Sequence, residues 1–154
     1  MDPEISLLER RKIEAKILEK VYAVLKEEEG EPRARELLTK AIQRDAISQG
    51  QIFKAQEKQP TGTRSLAALQ PLWQRGRALK TRIIRLDDEI FEYVVDYCAY
   101  CKMYQELGLL DLGYILSCER DGAFILGYAP ELTLTRSRTI MTGDKTCEFL
   151  YQKK

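Results

Sequence analysis

The sequence predicts an α+β fold: N-terminal helices followed by a β-β-α-α-β-β unit, its four strands forming one antiparallel sheet covered by helices. Three observations carry this. Up to about residue 80, apolar residues recur at three- and four-residue steps, the period of an amphipathic helix. From Thr81 the chain turns to β-branched and aromatic residues in short runs. Those runs come in adjacent pairs joined by short turns, which makes hairpins and an antiparallel sheet rather than βαβ crossovers. At 154 residues, 44% hydrophobic and 32% charged, the chain reads as a single domain over 1–154, with a helical part at 1–80 and a sheet-containing part at 81–154.

Asp2 as N-cap, Pro3 at the first helical position and acidic Glu4 predict the first helix start. Ile5, Leu8, Ile13, Ile17, Val21, Val24 and Leu25 are its expected buried face, and Gly30 its end. Glu31-Pro32 restarts a second helix through Ala34, Leu37, Leu38, Ala41, Ile42 and Ala46, expected to stop near Gly50. Two readings stay open for this pair: cover for the sheet, which is preferred, or a dimerisation face and hence a homo-oligomer. After a polar stretch and the turn Gln59-Pro60-Thr61-Gly62-Thr63, a third helix is expected over Ser65 to Leu79, kinked or split by Pro71. Thr81–Leu86 and Glu89–Asp96 form the first hairpin across Asp87-Asp88. A short helix from Cys98 to Leu107 is closed by Gly108, and a longer one runs from Leu109 or Leu110 to about Gly127. Thr133–Met141 and Thr146–Tyr151 make the second hairpin across Thr142-Gly143-Asp144-Lys145.

Charge and composition exclude several classes of function. The formal net charge of +1 is not that of a protein built to neutralise many phosphates. Lys54, Lys58, Arg64, Arg75, Arg77, Lys80 and Arg82 form a basic stretch opposed by Glu57. It lacks interleaved exposed aromatics, so it reads as a solvated face and no nucleic-acid partner is expected. No apolar run approaches the roughly 20 residues needed to cross a bilayer, and the charged N-terminus is not built as a signal peptide. The expectation is a cytoplasmic protein with no membrane partner.

All four cysteines, Cys98, Cys101, Cys118 and Cys147, fall between Tyr97 and Tyr151. In a cytoplasmic chain such thiols are reduced, metal-binding or nucleophilic more often than paired in disulfides. The chain has no histidine, so any catalytic base is a carboxylate, a thiolate, a lysine, a tyrosine or a metal-bound hydroxide. Cys118 and Asp121, three apart, and Ser117 and Asp121, four apart, share one side of a helix. Asp121 disfavours a neighbouring thiolate but can accept a proton from a thiol or a water, with Arg136 or Arg138 offsetting its charge.

On the second hairpin Thr133, Thr135, Ser137 and Thr139 face one way, and Leu132, Leu134, Arg136, Arg138 and Ile140 the other. An arginine on the inner face needs a carboxylate or another anion as partner. Cys147 is expected near it across the ladder. Cys98 and Cys101 form a C-x-x-C pair that alone is weak evidence for zinc. No cofactor is expected, and the alternative is zinc or another divalent metal held by Cys98, Cys118 and Cys147. Cys101 reads as a packed small apolar residue.

The motifs C-x-Y-x-x-M-Y-x-E-L-G at Cys98–Gly108, S-C-x-R-D at Ser117–Asp121, T-R-x-x-T-I-M-x-G at Thr135–Gly143 and C-E-F-x-Y at Cys147–Tyr151 resemble the L-2-amino-thiazoline-4-carboxylate hydrolase family. The N-terminal helices are similar to its leader. Over the C-terminal half there is a more distant resemblance to vinyl-4-reductase small-molecule-binding domains. The first resemblance implies a small-molecule carboxylate substrate, a cyclic amidine opened to an N-carbamoyl amino acid. The family pattern falls on Cys98, Cys118, Asp121, Arg136, Thr139 and Cys147. It implies Cys118 as nucleophile or water-positioning group, Asp121 as base and Cys147 beside them. Arg136 would clamp the substrate carboxylate, Thr139 would orient the substrate, and Cys98 would support its binding. The competing expectation is a non-catalytic module that binds a small molecule or metal through its cysteines.

Overall fold

The computed structural model describes residues 5–154, so Asp2, Pro3 and Glu4, expected to open the first helix, lie outside the described residues. Helix α1 spans Leu7–Glu29 and opens on a capping box at Ser6. The Ser6 hydroxyl accepts from the Glu9 amide at 3.1 Å, and the Glu9 carboxylate accepts from the Ser6 amide at 3.3 Å. Gly30, at φ +83, ends it, and α2, Glu31–Gln56, follows at once. Then come α3 at Thr63–Gln74, β1 at Leu79–Leu86, β2 at Ile90–Cys98, α4 at Ala99–Glu106 and α5 at Leu110–Gly113. A π-helical turn, Tyr114–Cys118, joins α5 to α6, Glu119–Tyr128, and β3, Leu132–Arg136, and β4, Cys147–Lys153, close the chain.

The α+β expectation holds. The four strands form one antiparallel sheet in the order β1-β2-β4-β3. Phe91, Tyr93 and Val95 of β2 and Cys147, Phe149 and Tyr151 of β4 turn to the same, buried face, as a two-residue period requires. Across the ladder Tyr93 stands opposite Phe149, and their rings stack at 4.7 Å. Helices α3 and α6 cover this face through Leu66, Phe124, Ile125 and Tyr128. Helices α1 and α2 lie farther out, α2 packed along α6 and α1 along α2 and α4. The pair therefore forms an outer layer over the covering helices.

Several local expectations are corrected. The buried face of α1 carries Ala15 and Tyr22, with Leu7, Leu8, Leu18 and Leu25 packed against the core. Ile13, Ile17, Val21 and Val24 are 43–63% exposed. Two aliphatic stripes run along this helix, and packing selects the one where Ala15 allows close approach. Gly50 does not stop α2, which runs on to Gln56. Instead Gly50 and Gly127 mark a backbone-to-backbone crossing of α2 and α6.

Helix α3 passes through Pro71 but ends at Gln74, earlier than expected, and Gly76 at φ +71 and Arg77 at φ +58 turn the chain into β1. In the second hairpin the inward-outward alternation holds from Leu132 to Ser137, then breaks. The ladder ends at Arg136, and Ile140–Thr142 is a 3₁₀ turn where strand was expected. Arg138 is consequently exposed and Thr139 buried. Among the described residues, no helix is long and apolar enough to cross a membrane.

Candidate active site

Between the sheet and the helices lies a cavity of about 210 Å³. Its sheet side is aromatic: Tyr93, Phe149 and Tyr151, with Cys147 beside them. Helix α3 supplies Leu66, Gln70 and Trp73, α2 supplies Asp45, Gln49 and Phe53, and α1 supplies Leu7, Arg10, Arg11 and Glu14. The π turn and α6 contribute Ser117, Cys118, Arg120, Asp121 and Phe124. A π turn widens the helix and shifts the phase of the residues after it. Here it directs Ser117 and Cys118 toward the same cavity as Arg120 and Asp121.

Asp121 is the most strongly determined group. Nη1 of Arg136 donates to its Oδ2 at 2.5 Å. Burial pushes the carboxyl up from the ordinary range to about 6, against the lowering pull of Arg136 and, more weakly, of Arg11 and Arg120. A quarter of its side chain, 26%, stays accessible, and Asp121 is on the cavity wall. The inward arginine thus finds the carboxylate that its burial demands.

Arg136 itself is not among the residues that line this cavity. Its Nη2 donates to the Tyr114 hydroxyl at 3.1 Å and the Cys118 carbonyl at 3.2 Å. The guanidinium lies between the rings of Tyr114 and Phe149, 5.5 and 5.2 Å from their centroids. Its side chain borders a shallower hollow between α2, α6 and β3.

Three of the four thiols reach the cavity: Cys98, Cys118 and Cys147. All four are free. Burial pushes Cys98 up to about 12, against the hydrogen bond that its sulfur accepts from the Cys101 amide at 3.4 Å. Cys118 is raised further, by burial first and by the charge of Asp121 second. Cys147 is raised by burial, moderated by the Ile140 amide that donates to its sulfur at 3.2 Å. All three are therefore neutral thiols near pH 7. Cys147 pairs with Val95, while Arg136 stands opposite Phe149, so Cys147 is one pleat along from it.

Among the described residues, no three histidine, cysteine, aspartate or glutamate side chains are grouped closely enough to hold a metal ion. Cys101 is packed in the core, its thiol directed at the Ile140 carbonyl at 3.9 Å. Thr139 is buried outside the cavity wall, its hydroxyl 2.6 Å from that of Thr142 and its amide donating to Asp144 at 3.1 Å. That network holds the connection between β3 and β4, because the strand stops before reaching Thr139.

Arg120, Arg10, Tyr93 and Tyr151 were not singled out by sequence reasoning. Arg120 is 8% exposed and joins three helices: its Nε donates to the Leu116 carbonyl at 3.1 Å, Nη1 to Asp45 at 2.7 Å and Nη2 to Glu14 at 3.5 Å. Its signal was the arginine of the S-C-x-R-D motif. The two tyrosines were visible as inward positions of an alternating pattern, but alternation does not show which inward positions face a void.

The fold is similar to that of the phenol-responsive sensory domain of the transcription activator PoxR, solved with phenol. The TM-score is 0.56 at 8% identity, over 93% of this chain and 74% of that one. At that identity the likeness shows the fold alone. Among curated proteins, none matches the chain. The profile of L-2-amino-thiazoline-4-carboxylic acid hydrolase matches residues 10–151, nearly the whole chain, and the protein belongs to that family.

Proposed function

We propose that this protein hydrolyses a small cyclic amidine in the cavity between sheet and helices, with Asp121 as the general base. One observation carries the reading: in a chain without histidine, burial lifts one cavity-wall carboxyl to about 6. There it is ionised at neutral pH yet basic enough to take a proton from water. The family supplies the substrate class, a thiazoline bearing a carboxylate.

Asp121 takes a proton from a water that adds to the amidine carbon. The resulting tetrahedral carbon carries the new hydroxyl, the ring nitrogen, the exocyclic nitrogen and the ring sulfur. The hydroxyl proton ends on the former ring nitrogen as the carbonyl forms and the carbon–sulfur bond breaks, and the sulfur leaves with the proton that Asp121 returns. The sum is one water added and one N-carbamoyl amino acid thiol formed. Cys118 acts here as a neutral hydrogen-bonding group that positions the water, the role its raised pKa favours over thiolate attack. Cys147 and Cys98 complete the wall. The test is incubation of purified protein with L-2-aminothiazoline-4-carboxylate and detection of N-carbamoylcysteine by mass spectrometry. No product above the uncatalysed rate would remove the hydrolase reading.

Two results separate the roles of the neighbours. Cys118→Ser supplies a hydroxyl in place of the thiol to hold the water and should retain turnover within about tenfold, whereas loss of a thiolate nucleophile would cost about 10²-fold or more. Iodoacetamide at about pH 8 should accordingly label Cys118 far more slowly than a free cysteine. Arg136→Met removes the charge that restrains Asp121. The acidic limb of the pH–rate profile should therefore move above about 6. A variant with an unmoved limb and only a raised KM would instead make Arg136 a substrate clamp.

The second reading, a binding module without turnover, is favoured by the three neutral thiols and the aromatic wall, and by the fold shared with a phenol-bound sensory domain. It predicts saturable ligand binding that Asp121→Asn leaves intact, with no product formed by the parent protein.

A further inference from the structure

We propose that Arg10 of α1 is the residue that binds the carboxylate of the cavity's ligand, so that the cavity takes a small cyclic monocarboxylate oriented from α1 toward Asp121. This rests on the cavity being the substrate site. Three arginines, Arg10, Arg11 and Arg120, lie on its wall. Two have partners within the protein: Arg11 donates to Glu14 at 2.5 Å, and Arg120 to Asp45 at 2.7 Å and Glu14 at 3.5 Å. Among the described residues no carboxylate pairs with Arg10. Its Nε is shielded from solvent and has no acceptor.

The charges on the wall lead to the same place. Its acidic groups are Glu14, Asp45 and Asp121, and each already faces another arginine, Asp121 through Arg136 from behind the wall. Among the described residues of the wall, Arg10 is the cation left over. A guanidinium Nε–H shielded from water without an acceptor is a standing desolvation cost. A ligand carboxylate accepting from Nε and one Nη would relieve it in the side-on fork that arginine offers.

Arg136 also has a shielded Nε without an acceptor, but its Nη1 is held by Asp121 and its Nη2 by Tyr114 and the Cys118 carbonyl, so no fork is left to offer, and it is not on the cavity wall. The carboxylate anchor inferred for Arg136 from the sequence is thereby moved to the opposite end of the chain. With the carboxylate at α1, the ring of the ligand lies along Trp73, Phe124 and Phe149, and its reacting carbon is brought to the α6 wall.

Binding of matched acid and amide probes tests this: L-2-aminothiazoline-4-carboxylate against its carboxamide, and benzoate against benzamide, by calorimetry on the parent protein, Arg10→Met and Arg10→Lys. Among the described residues Arg10 has no carboxylate partner to lose, so both variants should melt with the parent. The expected result is that Arg10→Met weakens the acids by about tenfold or more, the worth of a charge-assisted pair, and leaves the amides within about twofold. Arg10→Lys, a point charge without the fork, should fall between. The proposal is overturned if folded Arg10→Met binds the acids as the parent does, or if the parent shows no preference for acid over amide. Arg10-dependent acid binding without product would remove hydrolysis and keep the anchor. Turnover with a KM unchanged in Arg10→Met would keep hydrolysis and remove the anchor.

Discussion

Asp121→Asn is expected to lower kcat on a cyclic amidine by roughly 10²–10⁴-fold, the range for loss of a positioned general base, while ligand binding persists. Asparagine has nearly the same shape and keeps an oxygen for Arg136, so the fold and the wall survive. What it lacks is a site for the proton of the attacking water. In the parent protein kcat/KM should rise about tenfold per pH unit up to about 6 and then level, because the carboxyl titrates at about 6 and must be ionised to act. In Asp121→Asn that limb should vanish from whatever activity remains.

The same shift has a signature in stability that does not depend on turnover. The folded-state pKa of Asp121, about 6, exceeds the ordinary value of about 3.9, so between those values the native protein binds the proton that the unfolded chain releases. From this group, stability is greatest below about pH 4 and is lost as pH rises through about 6. Denaturant titrations at about pH 5 and about pH 7 should show a smaller drop between the two in Asp121→Asn than in the parent. A variant with full activity and an unchanged limb would show that the base lies elsewhere.

How much of this could be read from the residues differs from place to place. Strand alternation was legible because the inner face of β2 and β4 repeats every second residue and carries the large aromatics. The same alternation puts Arg136 and Arg138 on one face, where an inward arginine requires a carboxylate, and the absence of histidine with the helical spacing around Cys118 makes Asp121 the base candidate. Neither could show that Arg136 and Asp121 consume each other's hydrogen-bonding capacity, since that contact joins β3 to α6 across the fold.

Helix α1 departs from its sequence pattern for a different reason. Its helical period admits two apolar stripes, and only packing against α2 and α4 decides between them. Gly50 looked like a helix terminus, because a glycine chosen for close approach and a glycine chosen for a turn are the same letter. The cavity was not visible at all. Its wall draws on α1, α2, α3, α6 and the sheet, so Arg10 and Tyr151 become neighbours of one space only after folding.

Gly127→Ala is expected to destabilise the protein by about 2–3 kcal/mol or more, even though alanine favours helix over glycine by about 1 kcal/mol. Sterics decide the sign. A Cβ at Gly127 would collide with the Ile47 carbonyl oxygen and stand 2.9 Å from the Gln51 amide nitrogen. At Gly50 it would collide with the Phe124 carbonyl oxygen and meet the Tyr128 amide nitrogen at 2.9 Å. These are backbone atoms of helices, which no rotamer change can move, so α2 and α6 must part along their length.

Gly122, on the same helix α6, is the internal control, with nothing within 4 Å of an added Cβ. There alanine should be neutral or stabilising by up to about 1 kcal/mol. Thermal melts of the two variants should therefore move in opposite directions, and a Gly127→Ala protein melting at or above the parent would refute the close crossing. The crossing also holds the site. Helix α2 carries Asp45 and Phe53 and α6 carries Arg120 and Asp121, so parting them stretches the Arg120–Asp45 pair and opens the wall behind the base. Gly127→Ala that still folds should then bind acid probes more weakly, and adding Gly50→Ala should cost less than it does alone, because the helices are already apart.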